Sequence, residues 1–485
     1  MRCSFHRHTT IVSSSISEPR ARLHQFNFRR TTCIPLSPPT MSMSPIISPT
    51  VSTSSLSRSL ESPSIIRQLS TSSVKSLAAT FAASTSSLSL PPTGEDVEVV
   101  KEEGLRHAVV RLEARHYKKV SFLQSLMECI RTLRISSWTS LDILPQDIRV
   151  DKVAGSLTNA VFFVSCPTAK TLLLRIYGPS SGEMISRPHE LHTLHILSSQ
   201  YRLGPRVFGT FENGRIEEYF ESKTLTPSEL RDPQISRWIG ARMAELHSVD
   251  IEVIEGTSPE TRGEGRGWEI AAKKNVKAWL APAREVLQLP ALSQADRDEL
   301  NLDTFKRDWD KYMDWLSSLD RSTRVFAHND TQYGNLLRLT NAKEGLPQHR
   351  QIIVVDFEYA APNAAAFDIA NHFHEWSANY HTATPHLLEP TKYPTPSERR
   401  NFYKAYIQQS SPLPDSELET AIDELENQVR VWSPSPHAMW VVWGIVQAKD
   451  DLMNDVKDPE FNYIGYAKCR MALFRKELQT LGILS

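Results

Sequence analysis

The sequence has no excess of charge of either sign, because its 55 Lys and Arg residues are balanced by 56 Asp and Glu residues. The part of the chain expected to fold contains no basic stripe, so nothing supports binding to nucleic acid. Long apolar runs are also missing, and none approaches the roughly 20 residues needed to cross a bilayer. We therefore expect a protein with no nucleic-acid partner and no integral membrane segment.

Cysteine is scarce, and its spacing matches neither a disulfide framework nor a zinc site. The five cysteines are Cys3, Cys33, Cys129, Cys166 and Cys469. The histidines His328, His372 and His374 also lack zinc spacing with these cysteines, and we assign them no metal. Cysteine usage of this kind is typical of a reducing compartment, which favours the cytoplasm.

Large apolar residues are rare in residues 1–95, which are dominated by Ser, Thr and Pro. A segment of this composition cannot bury enough surface to offset its chain entropy, and we predict that it is disordered. It is also basic and poor in acidic residues, as organellar transit peptides are. The interpretation that we favour is a solvated regulatory tail, whose four Ser-Pro pairs are compatible with phosphorylation.

Residues 96–485 contain the periodic apolar patterns that are typical of secondary structure. Apolar positions at helical spacing predict one or two helices over 97–132. Five strand-like runs follow, at 148–153, 160–166, 171–177, 207–211 and 216–220, the last two joined by a hairpin turn at Asn213-Gly214. Four later segments are helical, at 236–249, 305–319, 416–431 and 438–481, whereas 252–267 is a polar loop. This order predicts an α+β fold with a small antiparallel β-rich lobe (96–225) and a large α-rich lobe (226–485).

Two neighbouring segments, FAHNDTQYGNLLR and IIVVDFEYAAPN, form the most informative pattern in the chain. Phosphoryl transfer needs a carboxylate that accepts the proton of an attacking hydroxyl and oxygen ligands that hold Mg²⁺ against the phosphates. Asp330, Asn335 and, after a short strand at 352–355, Asp356 supply these groups with the spacing of protein-kinase-like folds. The pattern predicts a kinase, although each residue alone would more often be a turn or helix cap. His328 is expected to order the loop.

The β-rich lobe offers groups that suit a nucleotide. The turn at 155–159 joins two predicted strands as a hairpin does over nucleotide phosphates in kinases, although a plain hairpin would look the same. Arg175 lies on the third strand, where protein kinases keep a phosphate-binding lysine, and a guanidinium can bind phosphate in bidentate fashion. Glu190 opens the next helix and is the candidate partner of Arg175, although acidic residues are common in the first turn of a helix.

At these positions the chain resembles the choline/ethanolamine kinases, a branch of the aminoglycoside-phosphotransferase-like kinases with a protein-kinase-like two-lobed fold. The similarity spans about 150–475 and includes LLLRIYG, GRIEEYF, HNDTQYGN, VVDFEYAAPN, FDIANHFHEW and WGIVQA. The long FDIANHFHEW segment goes well beyond a generic kinase motif. The resemblance therefore implies a family as well as a fold.

The resemblance implies an enzyme that phosphorylates the hydroxyl group of choline with ATP and Mg²⁺, the first step of the CDP-choline route to phosphatidylcholine. The implied roles are catalytic base for Asp330, magnesium binding for Asn335 and Asp356, phosphate binding for Arg175, and a place in the nucleotide-covering loop for Ser156 and Asn159. Asp368 is expected to tether the backbone of the catalytic loop.

Choline is a quaternary ammonium without strong hydrogen-bond donors, and such a cation is best bound by aromatic faces and a nearby carboxylate. Trp440 and Trp443 are three residues apart and share one helix face. The family motifs imply an aromatic cage of Trp440, Trp443, Tyr380 and Tyr466, with Gln332, Asp330 and Glu375 on its polar side. Ordinary core packing is the alternative for aromatic residues at this spacing.

The chain departs from many relatives at two places. Residues 362–368 read PNAAAFD, which keeps Asn363 and Phe367-Asp368 but loses bulk and a positive charge. The pair Ala154-Gly155 stands where two glycines are common, which reduces the freedom of the backbone. These differences bear on substrate fit and loop dynamics, because neither changes the predicted catalytic residues.

Three alternatives stay open. An ethanolamine kinase or a dual-specificity enzyme would need acceptors for a primary ammonium, whereas trimethylammonium needs aromatic walls. An inactive kinase-like binding module is disfavoured because all the catalytic residues are present. An antibiotic-modifying phosphotransferase would share the catalytic core but not FDIANHFHEW or the paired tryptophans. A homodimer is one expectation for the assembly, which the sequence does not decide.

Overall fold

The computed structural model describes residues 98–139, 142–155, 159–178, 186–256, 268–341 and 344–485. The tail at 1–95, which we predict to be disordered, and Ser156 lie outside these ranges, as does most of the predicted loop at 252–267. Within the described ranges, no helix combines the length and the apolar character that a membrane crossing requires.

The first lobe is built on six strands, which are β1 (His107–Ala108), β2 (Arg149–Gly155), β3 (Asn159–Cys166), β4 (Ala169–Tyr177), β5 (Val207–Phe211) and β6 (Gly214–Glu218). They form one sheet in the order β1-β5-β6-β4-β3-β2. Neighbouring strands are antiparallel except for the parallel pair β1 and β5. The five predicted strands are confirmed as β2 to β6, and the hairpin at Asn213-Gly214 joins the last two.

Three helices accompany this sheet, namely α1 (Val120–Leu133), α2 (Ser136–Thr139) and α3 (Arg187–Ile196). The apolar face of α1, with Phe122 and Ile130, packs on Phe162 and Leu174 of the sheet. The prediction of helix over 97–132 is therefore right only for its second half. The first half contains β1, and Val109, which we placed on an apolar helix face, is 81% exposed.

Two small sheets contain the remaining strands, which are β7 (Ser222–Thr224), β8 (Arg324–Ala327), β9 (Leu336–Leu339), β10 (Ile352–Val354) and β11 (Ala361–Ala364). Strand β9 pairs antiparallel with both β10 and β7, whereas β8 pairs with β11. The β9–β10 hairpin brings the residues before β9 next to those after β10. This pairing positions the predicted catalytic loop beside the second predicted metal ligand.

Apart from strands β8 to β11, the described part of the second lobe is mainly helical. Its helices are α4 (Pro233–His247), α5 (Ile251–Glu255), α6 (Ala271–Val286), α7 (Gln294–Glu299), α8 (Leu302–Leu319), α9 (Ala365–Glu375), α10 (Pro396–Ser410), α11 (Asp415–Trp432), α12 (Pro434–Gln447), α13 (Lys449–Met453) and α14 (Tyr463–Thr480). The predicted helices at 236–249, 305–319 and 416–431 are confirmed as α4, α8 and α11.

The helical prediction over 438–481 merges three separate helices, α12, α13 and α14. A new helix begins at Tyr463 because the side chain of Asn462 accepts a hydrogen bond from the backbone N–H of Gly465 and caps it. Helices α2, α5, α6, α7 and α10 were not predicted, and α5 occupies the start of the segment 252–267, which we predicted to be a loop. A β-rich lobe followed by an α-rich lobe nevertheless agrees with the predicted α+β class.

Helices α9 and α12 form the centre of the second lobe. Every residue of α9 is buried, and α12 is buried along almost its whole length. A side chain at Gly444 would place its Cβ only 3.1 Å from the ring of Tyr466, so glycine allows α14 to approach α12 closely. This approach brings the two tryptophans of α12 near the first turn of α14.

Candidate active site

A cleft between the six-stranded sheet and the β9–β10 hairpin contains groups predicted to bind a nucleotide. Arg175 of β4, Glu190 of α3 and Asp356 after β10 line this cleft together with apolar side chains such as Leu173 and Leu337. A lining of charged groups and apolar walls suits a molecule with phosphates and a flat base. Asn159 is the first residue of β3 and directly follows residues 156–158, which lie outside the described residues.

The charged side of the cleft is a network of two arginines and two glutamates. Arg175 Nε lies 3.2 Å from Glu217 Oε1, and Arg215 Nε lies 2.6 Å from the same oxygen. The second arginine also pairs with Glu190 through Nη2 at 2.5 Å. The predicted Arg175–Glu190 pair is therefore wrong, because Arg215 stands in the place that we assigned to Arg175.

Burial would raise the pKa of Glu190 and Glu217, but the charge of Arg215 holds both pKa values below their usual range. Both carboxylates are thus ionised, and each has a close cationic partner. Arg215 is only 1% exposed, so its role is to balance these buried charges. Arg175 is 9% exposed and lines the cleft together with Asp356, so it is the more accessible of the two cations to a ligand.

The predicted catalytic residues meet in one place. Asp330 lies in the loop after β8, and Asn335 ends the short 3₁₀ turn before β9. The side-chain amide of Asn335 donates to the backbone carbonyl and to Oδ2 of Asp330, at 2.9 Å each. Asp356 follows β10, and the backbone N–H of Val355 donates to the carbonyl of Asn335 at 3.0 Å. The β9–β10 hairpin thus joins the loop to the second carboxylate.

Asp368 holds the catalytic loop from α9, as predicted. Its two carboxylate oxygens accept the backbone N–H groups of His328 and Asn329 at 2.9 Å each. His247 Nε2 lies 3.0 Å from one of these oxygens. Asn329 has a left-handed backbone with φ of 64°, a conformation that asparagine adopts more readily than most non-glycine residues.

His328 orders the loop, as its position in the motif predicted. Its Nδ1 accepts the backbone N–H of Asp330 at 3.2 Å, and its Nε2 donates to the carbonyl of Val355 at 3.0 Å. The ring is therefore engaged at both nitrogens. Burial lowers the pKa of His328, so the ring is neutral and links the loop to the strand that precedes Asp356.

A second pocket opens beside Asp330 and brings together every residue that we predicted to bind substrate. These residues are Asp330, Gln332, Glu375, Tyr380, Trp440, Trp443 and Tyr466. Glu358, Tyr359 and Phe461 also line the pocket and were not predicted. We call this the substrate pocket.

The aromatic rings of the substrate pocket face one another at close range. Trp440 and Trp443 are perpendicular, with ring centroids 5.2 Å apart, and Trp443 lies 5.8 Å from Tyr466. Trp440 Nε1 donates to Asn371 Oδ1, and Trp443 Nε1 donates to the hydroxyl of Tyr359, both at 2.8 Å. These bonds fix the two indole rings and occupy their N–H groups.

Comparison with known proteins agrees with this geometry. Residues 150–475 match the family model described as choline/ethanolamine kinase. The chain belongs to this family. A choline kinase of Schizosaccharomyces pombe is 35% identical over an alignment of 425 residues, which covers 75% of this chain and 90% of the relative.

A choline kinase of Saccharomyces cerevisiae is 28% identical, with coverage of 75% of this chain and 76% of the relative. Among solved structures, a choline kinase from Cryptosporidium parvum has a TM-score of 0.56 at 24% identity and covers 74% of this chain and 97% of its own. This likeness shows the two-lobed fold. The protein is thus a kinase, in a family that uses ATP and small-molecule substrates.

In this choline/ethanolamine kinase, four of the site residues that we did not predict lie inside sequence segments that carry the family resemblance. Glu358 and Tyr359 lie in the VVDFEYAAPN segment, two and three positions after Asp356. Arg215 and Glu217 lie in the GRIEEYF segment, which we used only to support the resemblance. Phe461 stands outside these motif segments, and only the packing of the loop before α14 places its ring in the pocket.

The electrostatics of the substrate pocket favour a cation. Burial raises the pKa of Asp330 well above its usual value, and the negative charges of Glu375 and Asp356 raise it further. Burial and the charge of Asp356 also raise the pKa of Glu358. A pocket with several carboxyl groups in little water becomes more stable when a positive ligand enters.

Proposed function

We propose that this protein transfers the γ-phosphate of ATP to the hydroxyl group of choline and forms phosphocholine. The observation that supports this most is the aromatic substrate pocket, in which Asp330 lies beside Trp440, Trp443 and Tyr466. A quaternary ammonium fits between aromatic faces, and the hydroxyl of choline then lies close to a carboxylate. Phosphocholine would in turn supply a route to phosphatidylcholine.

In the proposed reaction, Asp330 accepts the proton of the choline hydroxyl while the oxygen attacks the γ-phosphorus. The bond between the γ-phosphorus and its bridging oxygen breaks, and ADP leaves. The raised pKa of Asp330 makes its carboxylate a stronger proton acceptor, which suits a general base. Arg175, at the charged side of the cleft, is the residue that we assign to the phosphates of ATP.

The donor set beside Asp330 fits a magnesium ion. The amide nitrogen of Asn335 donates to Asp330, which leaves the amide oxygen available for a cation. The side chain of Asp356 accepts no hydrogen bond from any residue within the described ranges. A carboxylate and an amide oxygen are ligands that Mg²⁺ prefers, so these two residues would hold the ion. When bound, Mg²⁺ would neutralise charge on the transferred phosphate.

Ethanolamine is a second candidate substrate, and one observation favours it. The side-chain oxygen of Gln332 is buried and has no hydrogen-bond partner among the described residues. This oxygen can accept a hydrogen bond from the N–H of a primary ammonium, a donor that choline does not have. We place choline first because the indole N–H groups are occupied and the rings present their faces.

The proposed preference for choline over ethanolamine is tested by measuring kcat/KM for both substrates with ATP and Mg²⁺. We expect choline to be the better substrate and ethanolamine to be turned over more slowly. A clear preference for ethanolamine would overturn our choice of substrate but not the kinase. Absence of transfer to either amino alcohol would favour the inactive binding module.

Three expectations stay predictions. The cytoplasmic location and the homodimer rest on the sequence and the family. The domain boundaries at about 95 and 225 also stay as we predicted them. The catalytic, nucleotide, metal and substrate roles of the named residues are proposals.

A further inference from the structure

Another cavity lies apart from the nucleotide cleft and the substrate pocket. Three of the helices that line it also line the substrate pocket. It encloses about 390 Å³, and its walls come from α9, α10, α11, α12 and α14 and from the segment between α9 and α10. We call it the rear cavity. The residues that matter for its chemistry are His374, Arg430, His437, Lys476 and Glu477.

The rear cavity contains charged groups without partners. Oε1 of Glu477 accepts a hydrogen bond from the hydroxyl of Ser433 at 2.9 Å, but Oε2 is buried and has no partner among the described residues. Arg430 and Lys476 are exposed at the rim, and neither makes an ion pair in the part of the chain that the structure describes. The cavity thus has a free acceptor inside and two free cations outside.

The cluster of His374, His437 and Glu477 has the composition of a metal site, with ligand atoms within 4.8 Å of one another. Its hydrogen bonds argue against a metal. His374 Nε2 lies 3.0 Å from the carbonyl of Ser433, so this nitrogen carries a proton. Arg470 donates to Nδ1 of His437 at 3.3 Å, so Nε2 of that ring carries the proton.

Both ring nitrogens that face Glu477, at 3.9 Å each, are therefore donors and have no lone pair for a metal. Burial lowers the pKa of His374 to about 3 and that of His437 well below its usual value, so both rings are neutral. The one acidic group of this cluster is Glu477, whose pKa burial raises to about 7.

Arg470 connects the rear cavity to the substrate pocket. The guanidinium is fully buried. One nitrogen donates to Glu375, which lines the substrate pocket, at 2.6 Å, and another donates to His437, which lines the rear cavity. Its guanidinium also lies 5.0 Å from the ring centre of Tyr466, a wall of the substrate pocket. A change at His437 can therefore alter how strongly Arg470 neutralises Glu375.

We propose that the rear cavity binds a phosphorylated amino alcohol, with its ammonium group at Glu477 and its phosphate at Arg430 and Lys476. The positive and negative ends of this zwitterion complement the carboxylate inside the cavity and the two cations at its rim. The inference rests on the proposed function for the identity of the ligand, since such a molecule is the product of the reaction.

Binding in the rear cavity would weaken binding of the substrate. An ammonium group at Oε2 stabilises the ionised form of Glu477, which attracts the Nε2–H of His437. His437 then loses its hydrogen bond with Arg470. The guanidinium of Arg470 therefore interacts more strongly with Glu375 and neutralises more of its negative charge. Because Glu375 contributes to the attraction of the amine, the KM for the amino alcohol rises.

Equilibrium dialysis with radiolabelled phosphocholine tests this site. The active site is first saturated with choline and a non-hydrolysable ATP analogue, so that only additional binding is counted. We expect wild type to bind one more phosphocholine per chain than Glu477→Gln. Glu424→Gln, which changes an exposed carboxylate on α11 outside the cavity, should bind like wild type. Phosphoethanolamine in place of phosphocholine tests the second product.

Equal binding by wild type and Glu477→Gln would overturn the proposal. A double variant, Arg430→Gln with Lys476→Gln, should weaken the additional binding about tenfold through the loss of charge-assisted contacts to phosphate. Unchanged binding by the double variant would also contradict it. The dialysis needs no turnover, so a failure of the proposed function, seen as absent transfer to choline, is distinguishable from a failure of this site.

Initial rates give a second readout. Added phosphocholine should inhibit Glu477→Gln about fivefold more weakly than wild type, in the range of typical coupling between sites. The kcat without phosphocholine should be the same in both proteins, because Glu477 touches no residue of the active site. Identical inhibition of the two proteins would show that the rear cavity is not coupled to the substrate pocket.

Discussion

The side-chain amide of Asn335 donates a 2.9 Å hydrogen bond to the carboxylate of Asp330. This bond fixes the orientation of the carboxylate before any substrate is bound, and it turns the amide oxygen of Asn335 away from Asp330. One contact therefore positions both the proposed base and one of the two proposed magnesium ligands.

Arg175→Gln should impair binding of ATP without unfolding the lobe. Loss of a charge-assisted contact to phosphate of about 1.5–3 kcal/mol predicts a rise in the KM for ATP of roughly tenfold or more. The KM for choline should not change. Initial rates at varied ATP and varied choline measure both constants.

Arg215→Gln is the matched control for Arg175, because both arginines contact Glu217. Its loss leaves Glu190 without its ion-pair partner in a buried position, which should cost about 3–5 kcal/mol of stability. We expect a lower Tm for this variant and a near-normal Tm for Arg175→Gln. The opposite pattern of Tm values would mean that we have exchanged the roles of the two arginines.

Trp443→Leu should weaken binding of choline while keeping an apolar side chain in the pocket. A cation on an aromatic face is worth about 0.5–2 kcal/mol, so the KM for choline should rise by a factor of roughly 2 to 30. The KM for ATP should stay unchanged. Trp315→Leu, on α8 and not among the residues that line the substrate pocket, is the control and should leave both constants unaltered. An unchanged KM for choline in Trp443→Leu would remove this ring from the proposed cage.

The catalytic loop should lose its support in Asp368→Asn. An amide has only one oxygen to accept the two backbone N–H groups of His328 and Asn329. Misplacement of Asp330 by about 1 Å can cost roughly 10²-fold in rate, so kcat should fall far more than the KM values change. Asp314→Asn, an exposed carboxylate on α8, is the control and should behave like wild type.

The same variant makes a prediction about pH. Burial would raise the pKa of Asp368, but the hydrogen bond and charge of His247 hold it below the usual value of 3.8. A carboxyl with a lowered pKa in the folded state stabilises the protein above the unfolded pKa and loses this effect as pH falls through the folded pKa. The Tm of wild type should therefore exceed that of Asp368→Asn most clearly near pH 7, and the gap should narrow below about pH 4. A difference in Tm between the two proteins that grows as the pH falls would contradict the lowered pKa of Asp368.

The sequence was sufficient to predict the residues that belong to continuous motifs. Asp330, Asn335 and Asp356 lie in short segments whose spacing reflects a local hairpin, and the structure brings them together. Asp368 was also predictable, because its place after the metal site is a recurring feature of the fold. Strands β2 to β6 and β10 were predicted, since runs of apolar residues are a local signal, whereas β1 and β7 were not.

Contacts between side chains from separate helices and strands could not be predicted from local sequence patterns. Arg175 was paired with Glu190 from the order of the elements, but the choice between Arg175 and Arg215 depends on strand register in three dimensions. The rear cavity left no pattern in the sequence, because His437 and Glu477 come from separate helices.

Transfer of phosphate from ATP to choline by wild type and by Asp330→Asn tests the central claim most directly. Both proteins are assayed for phosphocholine with Mg²⁺, and circular dichroism and ATP binding confirm that the variant is folded. We predict that wild type forms phosphocholine and that the variant is slower by about 10²–10⁴-fold, as expected for loss of a general base. Equal rates in the two folded proteins, or no phosphocholine from wild type, would contradict the account.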